Sequence, residues 1–286
     1  MPLTENEWFT EAFEERTAFS ARITKKLYEE LSDFQRIEIF QTEAIGRVLV
    51  LDGCFMVTEK DAFIYHEMLV HPAMSTLPDP RNVLVIGGGD GGAVTEIVKY
   101  SNVESVTLCE IDPLVVSSCR KYFPAVSSGL ADPRVKVICE DGAAFVRRRP
   151  GEFDLVLVDS TDPVGPGVAL FQRSFYEAVR DSLTEGGAAV FQTESPLFME
   201  RVFSMAFQDL GAVFGPACVR AYLATIPSYP GALWSFTFCS ERHNPVAAAP
   251  ALPSEVSTKL EYFSPDVHGA AFVLPPFVRR LTQQSQ

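Results

Sequence analysis

Four apolar runs in this chain each end in acid. Asp90 follows VLVIGGG, Glu110 and Asp112 follow VTLC, Glu140 and Asp141 follow VKVIC, and Asp159 and Asp162 follow LVLV. Open α/β sheets bind ligands beyond the carboxyl ends of their strands, so the residue types found there decide the chemistry. One such acid is ordinary: a carboxylate about 20 positions past a glycine loop takes ribose hydroxyls, and Glu110 fits that role. Asp112, directly before Pro113, reads as a helix N-cap. Asp90, Asp159 and Asp162 together describe a pocket for a cation. Asp90 is the most telling, because it interrupts the Gly-x-Gly-x-x-Gly pattern of Gly87, Gly89 and Gly92. That loop usually cradles phosphate with backbone N–H groups and a helix N-terminus, and a fixed negative charge would oppose an anion there.

Other chemistries find little support. His66 and His71 are five apart, about 140° around a helix, whereas a zinc-binding HExxH pair is four apart and shares a face. No other His or Cys cluster offers a metal site, so no metal is expected. There is no phosphate loop ending in Gly-Lys and no Gly-x-Ser-x-Gly elbow. The three arginines at 147–149 close a helix, where cations offset the dipole and face solvent. The Phe and Met residues of 198–214 read as core.

The elements that must position the acids fall into two regions. Residues 1–58 alternate in a strand-like way through FQRIEIF, the turn QTEAIG, RVLVLDG and CFMVT, which predicts a small antiparallel β domain. Residues 59–286 form the second domain, opening with a connecting helix over 59–76 that is broken by LPDPRN. Strand and helix patterns then alternate through NVLVIG, TEIVKYS, VESVTLCEID, PLVVSSCRKYF, RVKVICED, GAAFVRRR, FDLVLVDS, QRSFYEAVRDSL and GGAAVFQ. This predicts a parallel, doubly wound, Rossmann-like sheet. Two strands flanking IPSYPGALW, with no helix between them, predict an antiparallel hairpin closing the sheet. A Pro/Ala-rich linker, NPVAAAPALPS, leads to a short amphipathic tail.

Composition sets outer limits. With 286 residues, 47% hydrophobic and 21% charged, the chain can bury a sizeable core and is neither disordered nor collagen-like. Its net charge of -13 argues against nucleic acid and anionic membranes and is compatible with cationic substrates. Six cysteines without a CxxC read as buried, reduced thiols. The acidic N-terminal stretch has no basic or apolar leader region, and no apolar run could span a bilayer, so a cytoplasmic protein is expected.

GGGDGG, EID, EDG and DSTDPVGP, in this order, resemble the polyamine aminopropyltransferases, the spermidine synthase family. The resemblance extends from FQRIEIF and VLVLDG through TEKDAFIYHEML and QTESP to TIPSYPG and YFSPDVHGAAFVLPPFV. DSTDPVGP after a GGGDGG loop is the specific signature. The resemblance implies transfer of an aminopropyl group from decarboxylated S-adenosylmethionine, a co-substrate rather than a bound cofactor, to putrescine or another small amine. It also implies a small N-terminal β domain, a methyltransferase-type Rossmann-like α/β domain and a homodimer or homotetramer. On this resemblance Gln35, Glu110, Asp141, Gly142 and Pro166 contact the thioadenosine portion, with Glu110 on the ribose and Asp141 on the adenine amino group. Asp90 holds the amine of the aminopropyl group. Asp159 is the proton acceptor, and Tyr65, His66, Ser160, Thr161, Asp162, Gln192 and Tyr229 contact the polyamine.

An acid at position 90 would attract the ammonium chain of the decarboxylated donor and repel the carboxylate of intact S-adenosylmethionine. Two positions depart from the family pattern: Met56 stands for Gln in LDGxxQ, and Ala62 for Glu in Asp-Glu-Phe. They leave the preferred amine open. Gly and Pro in TDPVGPGVALF mark an access loop. Competing readings are a methyltransferase using intact S-adenosylmethionine, a nicotinamide-dependent dehydrogenase, and a polyamine sensor without turnover. The acidic cluster and DSTDP oppose the first, and Asp90 with the antiparallel sheet end opposes the second. The intact Asp159, Tyr65 and Tyr229 oppose the third.

Overall fold

The computed structural model describes residues 8–13, 17–163, 165–247 and 250–283, with Pro166 described in its backbone alone. Parts of the N-terminal region, of the Gly/Pro loop and of the Pro/Ala linker thus lie outside the described residues.

The N-terminal strands are β1 (Trp8–Phe13), β2 (Thr17–Leu31), β3 (Arg36–Thr42), β4 (Arg47–Leu51) and β5 (Cys54–Thr58), antiparallel neighbours in chain order. Ile37, Ile39, Leu49 and Leu51 bury one face of this sheet against Val115, Cys119 and Phe123 of the following region. β2, like β1, is an element the sequence pattern did not reveal. Its 15 residues, TAFSARITKKLYEEL, are rich in helix formers and mostly exposed. Pairing with β1 on one side and β3 on the other holds it extended, overriding local propensity.

Helix α1 (Ala62–Met74) lies within the expected connecting segment and is buried nearly all round, as suits a helix wedged between layers rather than an amphipathic one. Tyr222 donates its hydroxyl hydrogen to Met68 O at 2.8 Å, and the buried Glu67 carboxylate accepts the N–H groups of Glu261, Tyr262 and Phe263. The C-terminal segment is thereby tied to the same helix.

The second sheet comprises β6 (Asn82–Gly87), β7 (Ser105–Glu110), β8 (Val135–Cys139), β9 (Phe153–Asp159), β10 (Leu183–Gln192), β11 (Val219–Thr225) and β12 (Leu233–Cys239). Its order is β11-β12-β10-β9-β6-β7-β8. β6 to β10 pair in parallel, and β11 and β12 close one edge antiparallel. This bears out the Rossmann-like sheet with its terminal hairpin. Helices α2 (Gly92–Ile97), α3 (Pro113–Tyr122), α4 (Gly142–Arg147), α5 (Arg173–Ser182) and α6 (Glu200–Phe214) connect the strands, and α7 (Ser254–Ser257), α8 (Pro265–Ala271) and α9 (Pro276–Gln283) form the tail. Asp112 caps α3 through Leu114 N at 2.9 Å with Pro113 in the first turn, the N-cap expected of it.

Two expectations need correction. The cysteines are all free, but Cys139 is exposed, because it ends the edge strand β8, and Cys54 and Cys218 are partly exposed. In the 198–214 stretch Phe203 and Phe214 are buried, whereas Met205 is 52% exposed on the outer face of α6 and Phe198 is 37% exposed.

Candidate active site

The chain runs β6, β7, β8 to one side of the sheet and returns to β9 and β10 on the other, so the loops after β6 and β9 diverge at the switch point. Gly87 is in register with Asp159, and Gly88 N donates to Asp159 O at 2.9 Å. Those two loops carry Asp90 and Asp159. The glycines between them serve close approach: Gly88 has φ +65°, and a Cβ there would sit 2.6 Å from Asp159 Oδ2. A Cβ on Gly92 would overlap the His66 ring. A loop that looks built for phosphate is thus filled by a carboxylate and an imidazole.

His66 Nε2 lies 3.0 Å from Asp90 Oδ1, an ion-pair distance without hydrogen-bond alignment. Burial disfavours the imidazolium, but the Asp90 carboxylate, aided by Asp159, outweighs it and pushes His66 up to about 9. Burial also opposes the Asp90 charge, yet His66 and the Gly92 N–H, 2.6 Å from Oδ1, hold that carboxyl below its usual range. Asp159 is pushed the other way, up to about 6, by burial and by repulsion from Asp90. Its Oδ1 accepts the Tyr65 hydroxyl hydrogen at 2.7 Å, while Oδ2 is buried and has no hydrogen-bond partner. Burial and the neighbouring Asp159 charge raise Tyr65, so it stays a donor.

One donor atom each from His66, Asp90 and Asp159 lies within 4.8 Å of the others. A metal would need the imidazole neutral, whereas the two carboxylates hold His66 protonated. With Asp159 ionised the three groups sum to one negative charge. The donor set suits an ammonium, which takes carboxylate oxygens and needs no imidazole lone pair.

These residues open into a cavity of about 210 Å³ between the two sheets. Gln35, Glu110, Asp141 and Gly142 line one part of it, and Tyr65, Ser160, Thr161, Asp162 and Tyr229 another. Glu110 accepts Gly89 N at 3.1 Å and Asp112 N at 2.9 Å, yet burial, joined by Asp112, pushes it up to about 7. A diol donating to it would relieve that cost. Gln35 Nε2 donates to Asp112 Oδ2 at 3.0 Å, so the N-cap of α3 also fixes Gln35. Asp141 caps α4 through Ala143 N at 2.8 Å. The Pro166 side chain is outside the described residues. Gln192 does not line the cavity: it is buried behind the Asp159–Asp162 turn, with Nε2 donating to Ser160 O at 3.2 Å and Glu194 Oε1 at 2.9 Å.

The other end is aromatic. The Tyr65 and Tyr229 rings are 5.6 Å apart, Trp234 meets Tyr229 edge-on at 4.7 Å, and Tyr229 donates its hydroxyl hydrogen to Met56 O at 2.8 Å. Met56 and Ala62 both line the cavity. Asp61 binds Ser228 N at 2.8 Å and Ser228 Oγ at 3.1 Å, pinning the Tyr229 loop to the start of α1. Asp61, Ser228 and Glu194 were not singled out in the sequence. The available signal was their position inside EKDAF, TIPSYPG and QTESP. His71, by contrast, serves the core through Tyr100 and Glu96.

Such a pocket has close relatives. Residues 62–248 match the model of the spermine/spermidine synthase domain, and residues 7–59 that of the spermidine synthase tetramerisation domain. A polyamine aminopropyltransferase of Shouchella clausii is 43% identical over 274 residues, 96% of this chain and 98% of that protein. One of Moorella thermoacetica is 44% identical over 276 residues, 96% of each chain. A spermidine synthase crystallised with the transition state analogue AdoDATO superposes with a TM-score of 0.93 at 38% identity, covering 98% of this chain and 96% of that one. The spermidine synthase of Thermotoga maritima gives 0.90 at 37% identity, with 98% and 95% covered. Acids after β6, β7, β8 and β9, a switch-point cavity fitted to an ammonium and matches along nearly the whole length lead to one assignment: this chain belongs to the spermine/spermidine synthase family, the polyamine aminopropyltransferases.

Proposed function

We propose that the cavity binds decarboxylated S-adenosylmethionine along Gln35, Glu110 and Asp141 and transfers its aminopropyl group to putrescine or a related small amine, giving spermidine from putrescine and releasing 5'-methylthioadenosine. The observation that carries this reading is the Asp159 carboxylate: one oxygen is fixed by Tyr65, and the other is buried and unpartnered. An amine nitrogen held at Oδ2 attacks the carbon beside the sulfonium. The C–N bond forms as the C–S bond breaks, the bonding pair stays on sulfur as a neutral thioether, and the amine proton passes to Oδ2.

Raising Asp159 to about 6 makes it a better proton acceptor than an exposed aspartate, yet alkyl ammonium groups titrate near ~10.4 in water. Alignment and desolvation of the amine therefore contribute much of the acceleration. His66, Asp90 and ionised Asp159 carry net negative charge, which attracts the donor's ammonium and repels a carboxylate. The tyrosine walls suit the methylene chain of the acceptor. The match of residues 7–59 supports a homodimer or homotetramer, and the acidic soluble composition supports a cytoplasmic setting.

Asp159→Asn tests the reading. Turnover of decarboxylated S-adenosylmethionine with putrescine should fall by about 10² to 10⁴, while methylthioadenosine binding changes less than about threefold. Wild-type turnover in that variant removes Asp159 from the chemistry.

A further inference from the structure

Asp112 is fully buried at the start of α3, and capping that helix occupies only half of its carboxylate. Oδ1 makes the cap, accepting Leu114 N at 2.9 Å. Oδ2 reaches the N-terminal sheet instead. It accepts the Ser32 hydroxyl hydrogen at 2.7 Å and Gln35 Nε2 at 3.0 Å, both from the turn that joins β2 to β3. That turn is closed on itself: Ser32 N donates to Gln35 O at 2.9 Å, and Ser32 Oγ accepts the N–H groups of Phe34 and Gln35 at 3.0 Å each.

The same residue holds the α/β side of the cavity. Asp112 N donates to Glu110 Oε1 at 2.9 Å, while Gly89 N donates to Glu110 Oε2 at 3.1 Å. Asp112 thus bonds Gln35 from one sheet and Glu110 from the other, and both of these line the cavity. Chemistry settles which way the Gln35 amide turns. A carboxylate has no hydrogen to give, so only the NH2 group of Gln35 can bond it. The amide carbonyl, Oε1, accepts from no described residue. An amide that turned its carbonyl to Asp112 would instead offer the cavity a donor.

We propose that Asp112 is a positioning residue for the donor substrate: it orients the Gln35 amide so that Oε1, together with the Glu110 carboxylate, accepts from the hydroxyl groups of the bound nucleoside. This inference rests on the aminopropyltransferase reading for the identity of the nucleoside but not for the Asp112–Gln35 pairing. The cap of one helix and the polarity of one amide on the facing sheet are set by the two oxygens of a single side chain.

Three variants test it, Asp112→Asn, Gln35→Glu and the two combined. Asn caps a helix as well as Asp, so D112N keeps an oxygen for Leu114 N but puts an NH2 group where Oδ2 stood. Gln35 must then flip. In D112N the KM for decarboxylated S-adenosylmethionine and the Kd for methylthioadenosine should rise about tenfold, with the KM for putrescine changed less than about twofold. The double variant exchanges donor and acceptor within the pair and conserves the charge, since a carboxylate at 35 accepts from Asn at 112 and again offers the cavity an oxygen. It should return both donor constants to within about threefold of wild type. Q35E alone sets two carboxylates against each other and should melt below both wild type and the double variant. A wild-type donor KM in D112N overturns the proposal, as does a D112N defect equal for donor and acceptor, or a double variant that binds donor no better than D112N. If wild type neither turns over an amine nor binds methylthioadenosine, the functional reading fails instead. The melting temperatures still decide the pairing, which is overturned if the double variant melts no higher than Q35E.

Discussion

At Asp159 the proposed proton acceptor is also a buried charge that the fold must carry. Its carboxyl titrates near 6 in the fold and near 3.8 when unfolded, because burial and Asp90 disfavour its charge. The folded state therefore binds the proton more tightly, so ionised Asp159 destabilises the fold fully above pH 6 and the cost fades as pH falls from 6 toward 4. D159N should accordingly be more stable than wild type at pH 8, by about 1 to 3 kcal/mol, with the difference shrinking near pH 4. Urea melts at the two pH values measure it, and equal stability at pH 8 would contradict the assigned environment. Wild-type kcat/KM for putrescine should fall below pH 6 as the acceptor oxygen becomes protonated. At this scale the sequence was informative where one residue type suffices: an acid inside a glycine loop already implies a cation. It was silent on charge sharing. Asp90 sits beside a protonated His66, so the charge a ligand meets is the sum over His66, Asp90 and Asp159 and not that of Asp90 alone.

The elements place these residues through contacts between distant parts of the chain. Asp61, 5% exposed at the start of α1, accepts hydrogen bonds from Thr58 and from both N–H and hydroxyl of Ser228, next to Tyr229. Asp61→Ala should destabilise the fold by about 1 to 3 kcal/mol, since it strands the buried Ser228 N–H. It should also raise the KM for the acceptor about tenfold, with less effect on the KM for the donor. Denaturation and paired KM values test this, and equal effects on both substrates would count against a specific hold on the Tyr229 wall. The central strands β6 and β9 were legible because parallel strands buried on both faces read as uninterrupted Val, Ile and Leu. β2 was not, because its Lys, Glu and Leu content favours a helix until two partner strands hold it. Gln192 and Glu194 share a sequence motif with no visible division of labour. Only the turn of the chain after β10 puts both behind the Asp159–Asp162 segment.

In the whole molecule the cavity lies between the two sheets, with Gln35, Cys54 and Met56 from the N-terminal strands facing Asp90, Asp159 and Asp162 from the α/β sheet. No helix among the described residues is long and apolar enough to cross a membrane. Asp90, Asp159 and Asp162 make the cavity acidic, and the replacements Met56 and Ala62 line it. The central claim is therefore amine-dependent aminopropyl transfer, and it is tested most directly by product mass. Purified protein is incubated with decarboxylated S-adenosylmethionine and, separately, putrescine, cadaverine, agmatine or spermidine, following methylthioadenosine and the amine products. The account predicts equimolar methylthioadenosine and an amine heavier by one aminopropyl group, with putrescine among the acceptors. Tight donor binding with no amine-dependent release would contradict it and leave a polyamine-sensing protein in its place.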